Sequence, residues 1–210
     1  MPDIAHILPF MFIALGLVVT PGPNMIYLIS RSLSQGPKAG LISLGGVAVG
    51  FLFYMVCAAL GITALLMAVP FAYDTLRLCG AMYLLYMAWQ AIKPGGRSPF
   101  QVRDLPKDGP RKLFTMGLVT NLLNPKTAVL YLSLLPQFIV PAQGHVLMQS
   151  LVLGCAQITV SMTVNALIAI SAGYIAVFLA GRPLWMTIQR WLMATVLSGL
   201  AVRMLLDGRK

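Results

Sequence analysis

Two proline-marked segments carry the residue types best suited to holding a small polar solute. The first is Thr20-Pro21-Gly22-Pro23-Asn24 and the second is Asn121-Leu122-Leu123-Asn124-Pro125-Lys126. Each falls near the middle of an apolar stretch long enough to cross a bilayer. A helix interrupted inside lipid frees N–H and C=O groups that lipid cannot satisfy. Such backbone is tolerated only where protein buries it or where it lines a wet cavity. Two interruptions at corresponding positions of two half-chains point to the solute site of a transporter.

The chemistry of each break follows from its residues. Asn124-Pro125 reads as a helix start, because Asn is a favoured N-cap and Pro fits the first helical position. The half-helix that begins there carries a partial positive charge on its free N–H groups. Lys126 adds a full charge close to mid-membrane, where a lysine is costly unless it is paired or hydrated. With no Glu in the chain, a visiting carboxylate would compensate it, and so would carbonyls released around Thr20–Pro23. The alternative is a structural lysine that snorkels to an interface or bonds carbonyls. At the first break Pro21 and Pro23 remove two donors, and Gly22 permits close backbone approach. Asn24 opens the next half-helix with an amide that both donates and accepts. A proline kink satisfied by neighbouring helices is the structural alternative.

The later apolar runs contain Gln157, Ser161 and Asn165. Ser161 and Asn165 are four residues apart and share a helix face. They either line a polar path with Gln157 or bond across helices. Gly46 and Gly50 form a GxxxG pair, which suits close helix packing first and a moving gate second. Asn121 belongs with the second break as a substrate-binding candidate. Tyr83, Tyr86 and Trp89 follow at helical spacing and read as packing and interface anchors. Cys57, Cys79 and Cys155 lie inside apolar runs without metal-ligand spacing and read as reduced packing residues. His6 and His145 have no metal partner at suitable spacing. No nucleophile–base set can be read, so the expectation is no enzyme, no metal and no cofactor.

The elements that must position these residues are membrane helices. The 210 residues are 59% hydrophobic and 10% charged, against about 25% charged in an ordinary soluble domain. Mean hydropathy is +0.85. The chain is expected to be one all-α integral membrane domain over residues 1–210, with the bilayer itself as a partner. The N-terminus lacks a basic region and carries Asp3, so it reads as the first helix rather than a cleaved signal. Six helices can be drawn: Ile4–Ser30, Ala39–Val69, Phe71–Ile92, Leu113–Phe138, Leu147–Leu179 and Leu184–Leu206. Residues 1–93 form a first half and 113–210 a second, joined by a basic segment at 94–112.

The net charge is +10. The basic residues cluster in the first, third and fifth connections, which the positive-inside rule places in the cytoplasm with both termini outside. That distribution accounts for the charge without a nucleic acid partner. An internal repeat supports the division into halves. Pro23 and Pro125 are 102 residues apart, and Gly40/Gly50 match Gly144/Gly154 at a spacing of 104. Three helices per half is an odd number, so the halves face opposite ways. That is an inverted repeat with helices 1 and 4 broken. The glycine faces can pack within one chain or between two, so a homo-oligomer is an assembly the sequence allows.

Together these residues resemble the LysE/RhtB family of bacterial amino-acid exporters. The resemblance rests on the Thr20–Asn24 and Asn121–Lys126 segments, the glycine-rich second helix, Arg77-Leu78-Cys79-Gly80-Ala81-Met82-Tyr83-Leu84, and Leu135-Pro136-Gln137-Phe138. These stand in family order and cover nearly the whole chain. The resemblance implies a six-helix inner-membrane protein that exports amino acids or close derivatives, driven by the proton gradient. Many members carry an acidic residue where Ser161 stands here, so the coupling residue is left unassigned. Arg77 replaces a frequent Lys and changes the hydrogen-bond geometry. The expected cargo is a small neutral amino acid or derivative, since no acidic group lies deep in a helix to meet a dibasic one. The rival readings are a metal-cation efflux protein, which would need clustered carboxylates, His or thiolates, and a non-transporting membrane assembly or sensor subunit.

Overall fold

A computed structural model describes residues 4–20, 22–68, 72–93, 107–180 and 183–206. Pro21, most of the basic segment at 94–112 and both chain ends lie outside the described residues. The elements are α1 (Ile4–Val19), α2 (Pro23–Gln35), α3 (Pro37–Ala68), α4 (Ala72–Ile92), α5 (Pro110–Leu122), α6 (Pro125–Val129), α7 (Val146–Ala180) and α8 (Pro183–Leu206). A π-helical segment, Leu130–Leu134, and a 3-10 turn, Leu135–Phe138, continue directly from α6. A second 3-10 turn, Pro141–Gln143, precedes α7. No strand occurs among the described residues.

Proline punctuates this architecture. Helices α2, α3, α5, α6 and α8 all begin on one, where its missing N–H costs nothing and its fixed φ suits the first turn. The turn from α2 to α3 runs through Gly36 at φ +87°, a conformation that side chains resist. The Gly36 N–H donates to the Ser32 carbonyl at 3.0 Å and closes α2. Pro136 explains the change of helical register before it. Without an N–H it cannot continue the α ladder, and its ring crowds the preceding turn.

The expected first helix, Ile4–Ser30, is divided into α1 and α2, which bend by 53°. The expected fourth, Leu113–Phe138, is divided into α5, α6 and the π and 3-10 segments. The other four expected helices agree with α3, α4, α7 and α8 within two residues at each end. Helix α3 over Pro37–Gly61 and helix α7 over Val146–Tyr174 are each long and apolar enough to cross a bilayer. The bent pair α1–α2 adds a third span if taken as one.

The core is built from Phe10 and Leu17 of α1, Leu28 of α2, Val47 and Phe51 of α3, Leu153 of α7 and Leu197 of α8, around Tyr131 and Leu134. Large apolar side chains also cover the outside. Phe12 is 72% exposed, Leu123 77% and Tyr174 84%. So much apolar surface is unfavourable in water and suits acyl chains, which match the outward belt of a membrane protein. Helices α3 and α5 meet backbone to backbone. Gly46 lies against the Phe114 carbonyl and Gly117 against the Ser43 carbonyl, with no room for a Cβ at either place. This close approach is the packing use of a GxxxG face. It fixes α5, and hence the break that follows it, against α3.

Candidate functional site

The two breaks meet. Thr20 directly follows α1; its N–H is shared between the Gly16 and Leu17 carbonyls and its Oγ1 donates to the Gly16 carbonyl at 2.7 Å. The Thr20 carbonyl then has no partner along its own helix. Lys126 of α6 donates to it from Nζ at 2.6 Å, across 106 residues of chain. Gly22 makes the crossing feasible. A Cβ there would stand 3.3 Å from Lys126 Cδ and 3.5 Å from Nζ, tighter than ordinary contact for the first of these. Gly22 is the N-cap of α2 and Pro23 its first residue. At the second break Asn124 caps α6, its Oδ1 accepting from the Lys126 N–H at 3.0 Å, with Pro125 between them.

A cavity of about 40 Å³ lies where the breaks meet. It is lined by Gly22, Asn24, Asn124 and Lys126 from the breaks and by Gln157, Ser161 and Asn165 from α7. That volume holds a few waters and must widen to take an amino acid. Gln157 donates to Ser161 Oγ at 2.7 Å, and Asn165 donates to the Ser161 carbonyl at 2.8 Å. Tyr131 of the π segment donates its hydroxyl to Gln157. The Oδ1 atoms of Asn24 and Asn165 have no hydrogen-bond partner among the described residues, although the two side chains are 7% and 2% exposed. A buried amide oxygen without a donor is costly. These two therefore mark places where a donor would be welcomed.

Not every candidate joins this cluster. Asn121 is buried and packs against Gly50, where an added Cβ would lie 2.6 Å from Asn121 Oδ1. Neither residue lines the cavity. Gly46 faces Phe114 of α5, as described above, and also lies off the cavity. Pro21 lies outside the described residues. Met25, Phe51, Thr127 and Leu130 also line the cavity, with Ala14, Leu17 and Val18 of α1, and none of these was a candidate from the sequence. Thr127 carried a usable signal, three residues after the Asn124 cap and so close to it on the helix. Phe51 carried none, because only the packing of α3 against α6 and the π segment brings it there.

A second polar cluster joins the end of α2 to the start of α5. Asp108 lies 2.8 Å from Arg31 and 2.7 Å from Lys112. The Arg31 contact is a close ion pair without aligned hydrogen-bond geometry. Gln35 donates to the Asp108 carbonyl at 2.9 Å and accepts from the Asp108 N–H at 3.0 Å. The hydrogen bond from Lys112 holds the Asp108 carboxyl below its usual range, with the Arg31 charge acting the same way against the opposing effect of burial.

The chain matches the family described as LysE type translocator over residues 15–208. It is 31% identical over 166 residues to a homoserine/homoserine lactone efflux protein of Salmonella typhimurium, covering 79% of each chain. It is 31% identical over 143 residues to the uncharacterized membrane protein YrhP of Bacillus subtilis, covering 63% of this chain and 67% of that one. No solved structure matches it. With a family match across nearly its whole length, this chain belongs to the LysE type translocators and is a membrane transporter rather than an enzyme.

Proposed function

We propose that the protein is a secondary active exporter of a small neutral amino acid or amino-acid derivative across the bacterial inner membrane, driven by the proton gradient. The observation that carries this reading is the meeting of the two breaks, with Lys126 on the Thr20 carbonyl, at a cavity with amide, hydroxyl and ammonium groups. An amino acid presents a carboxylate and an ammonium close together, and the cavity offers donors and acceptors at similar proximity. The carboxylate takes the N–H groups at the start of α2 near Asn24. The ammonium takes the Thr20 carbonyl and the unpartnered oxygens of Asn24 and Asn165. Asn124 and Pro125 hold Lys126 in place. The relative from Salmonella typhimurium is named for the efflux of homoserine and homoserine lactone, which supports a small amino acid or amino-acid derivative as the cargo. Thiolates, imidazoles and carboxylates are missing from the described lining, which disfavours a metal cation.

In this reading the chain is one transport domain of six spans built as two inverted repeats. Each half supplies a broken helix, a long helix and a shorter one: α1–α2, α3 and α4, then α5–α6 with its π and 3-10 continuation, α7 and α8. The packing of α3 against α7 and of α4 against α8 brings equivalent elements of the two halves together, which supports a pseudo-two-fold axis between them. The 94–112 segment faces the cytoplasm and the termini the periplasm. Rocking of one half against the other opens the cavity to either side.

Efflux of a labelled amino-acid panel from loaded cells, with the proton gradient intact or collapsed, tests the proposal. Gradient-dependent export of neutral members is expected. Export confined to dibasic members, or unchanged when the gradient is collapsed, refutes it. Wild-type export by a Lys126→Ala variant removes Lys126 from the site.

A further inference from the structure

A proton-driven exporter needs a group that binds a proton when the cargo is absent and gives it up when the cargo is present. The cavity offers one such group. We propose that Lys126 carries the coupling proton, and that its ammonium and the ammonium of the substrate compete for the Thr20 carbonyl. The proposal rests on the export reading above.

The geometry supplies the competition. Lys126 Nζ sits 2.6 Å from the Thr20 carbonyl, its one hydrogen-bond partner among the described residues. Thr20 is buried just behind the cavity wall, and Lys126, which lines the cavity, covers its carbonyl; Gly22 leaves the space through which the lysine reaches it. A tethered ammonium thus occupies the acceptor that a free ammonium would use. Two ammonium groups on one carbonyl repel each other strongly in a low dielectric. A lysine displaced from its acceptor beside a second ammonium, with no carboxylate side chain in the cavity lining, is costly to keep charged inside the membrane.

No other described group can do this work. The polar side chains that α2 and α7 turn to the cavity, Asn24, Gln157, Ser161 and Asn165, do not titrate. On elements packed against α6, the Tyr54 hydroxyl of α3 donates to the Leu122 carbonyl and the Tyr131 hydroxyl to Gln157. Lys38 and Cys57 of α3, Asp74, Cys79, Tyr83 and Tyr86 of α4, Arg111 and Lys112 of α5, and Cys155 of α7 do not line the cavity.

The cycle balances. Facing outward after release of the amino acid, the Lys126 amine takes a proton from external water, and the ammonium closes on Thr20. Facing inward, the substrate ammonium takes the carbonyl, and Lys126 returns its proton to water on the cytoplasmic side. One proton enters for each amino acid that leaves. A zwitterion has no net charge, so each turn carries one positive charge inward.

The test uses the purified full chain in liposomes, with the twenty common amino acids and homoserine as labelled probes. Wild type is expected to accumulate its preferred probes against a gradient when a pH difference is imposed, and to release a proton on binding them in detergent. Lys126→Gln is expected to lose both, while keeping a reduced exchange of labelled for unlabelled probe that no longer varies with pH. Lys126→Arg, whose charge is fixed, is expected to lose accumulation and exchange together. Size-exclusion profiles matching wild type confirm that both variants are folded. Retained pH-driven accumulation by Lys126→Gln overturns the proposal. So does complete loss of its exchange in folded protein, which would make Lys126 a binding residue only, and so does binding by wild type without proton release. Transport of no probe by wild type overturns the export reading itself and the proposal with it.

Discussion

Replacing Gly46 by Ala should destabilise the protein and impair transport, whereas the same replacement at Gly61, on the same helix, should do neither. An added Cβ at Gly46 would overlap the Phe114 carbonyl oxygen and lie 2.8 Å from Leu118 N and 2.9 Å from Phe114 C. These are backbone atoms, so no side chain can swing away, and α5 must move as a body by about an ångström or more. Overpacking of this kind costs about 1–3 kcal/mol. The gain in helix propensity from Gly to Ala returns at most about 1 kcal/mol. Gly61 meets nothing within 4 Å, so only the gain applies there. For a chain of this length 1 kcal/mol shifts the melting temperature by about 2–4 °C. Gly46→Ala should therefore melt several degrees below Gly61→Ala in detergent. Because α5 leads directly into Asn124 and Lys126, its displacement also pulls Lys126 from Thr20 and lowers transport. A Gly46→Ala protein as stable and as active as Gly61→Ala would show that α3 and α5 do not pack through this glycine.

Three further outcomes follow from the site and its supports. Asn124→Ala removes the cap of α6 and should cost about 1 kcal/mol, read as a lower melting temperature with weaker transport. Asn165→Leu removes an unpartnered oxygen from the cavity and should raise the apparent KM about tenfold, equivalent to about 1.4 kcal/mol, in efflux titrations of the exported amino acid. The carboxyl of Asp108 is held below its usual range, so its contribution to stability is fully present above the ordinary carboxylate pKa and is lost as pH falls through the depressed one. Melting curves of wild type should therefore lose stability on acidification over that window, and Asp108→Asn should show a smaller loss across it.

The sequence by itself determined where the helices stop. Proline, glycine and asparagine act locally. Pro23 and Pro125 cannot donate to a preceding turn, Gly36 accepts a positive φ, and Asn124 caps the residue two places on. Their effects needed no knowledge of the rest of the chain, and the division of the first and fourth apolar stretches was legible for that reason. The register change at Pro136 has the same local cause, but its π form was not legible, since the choice among bent helices depends on what packs beside them.

Tertiary structure decided which polar residues share a cavity. Asn121 and Asn124 are equally prominent in the sequence, yet one is turned against Gly50 and the other caps the helix that carries Lys126. Gly46 and Gly50 were readable as a face for close approach, but only the position of α5 shows what they approach. Asp108 stood as one charge in a basic connection until the fold brought Arg31 to it. The physical reason is the same in each case. Backbone conformation is set by neighbours in sequence, whereas hydrogen-bond partners across 106 residues, such as Lys126 and Thr20, are chosen by how whole helices pack.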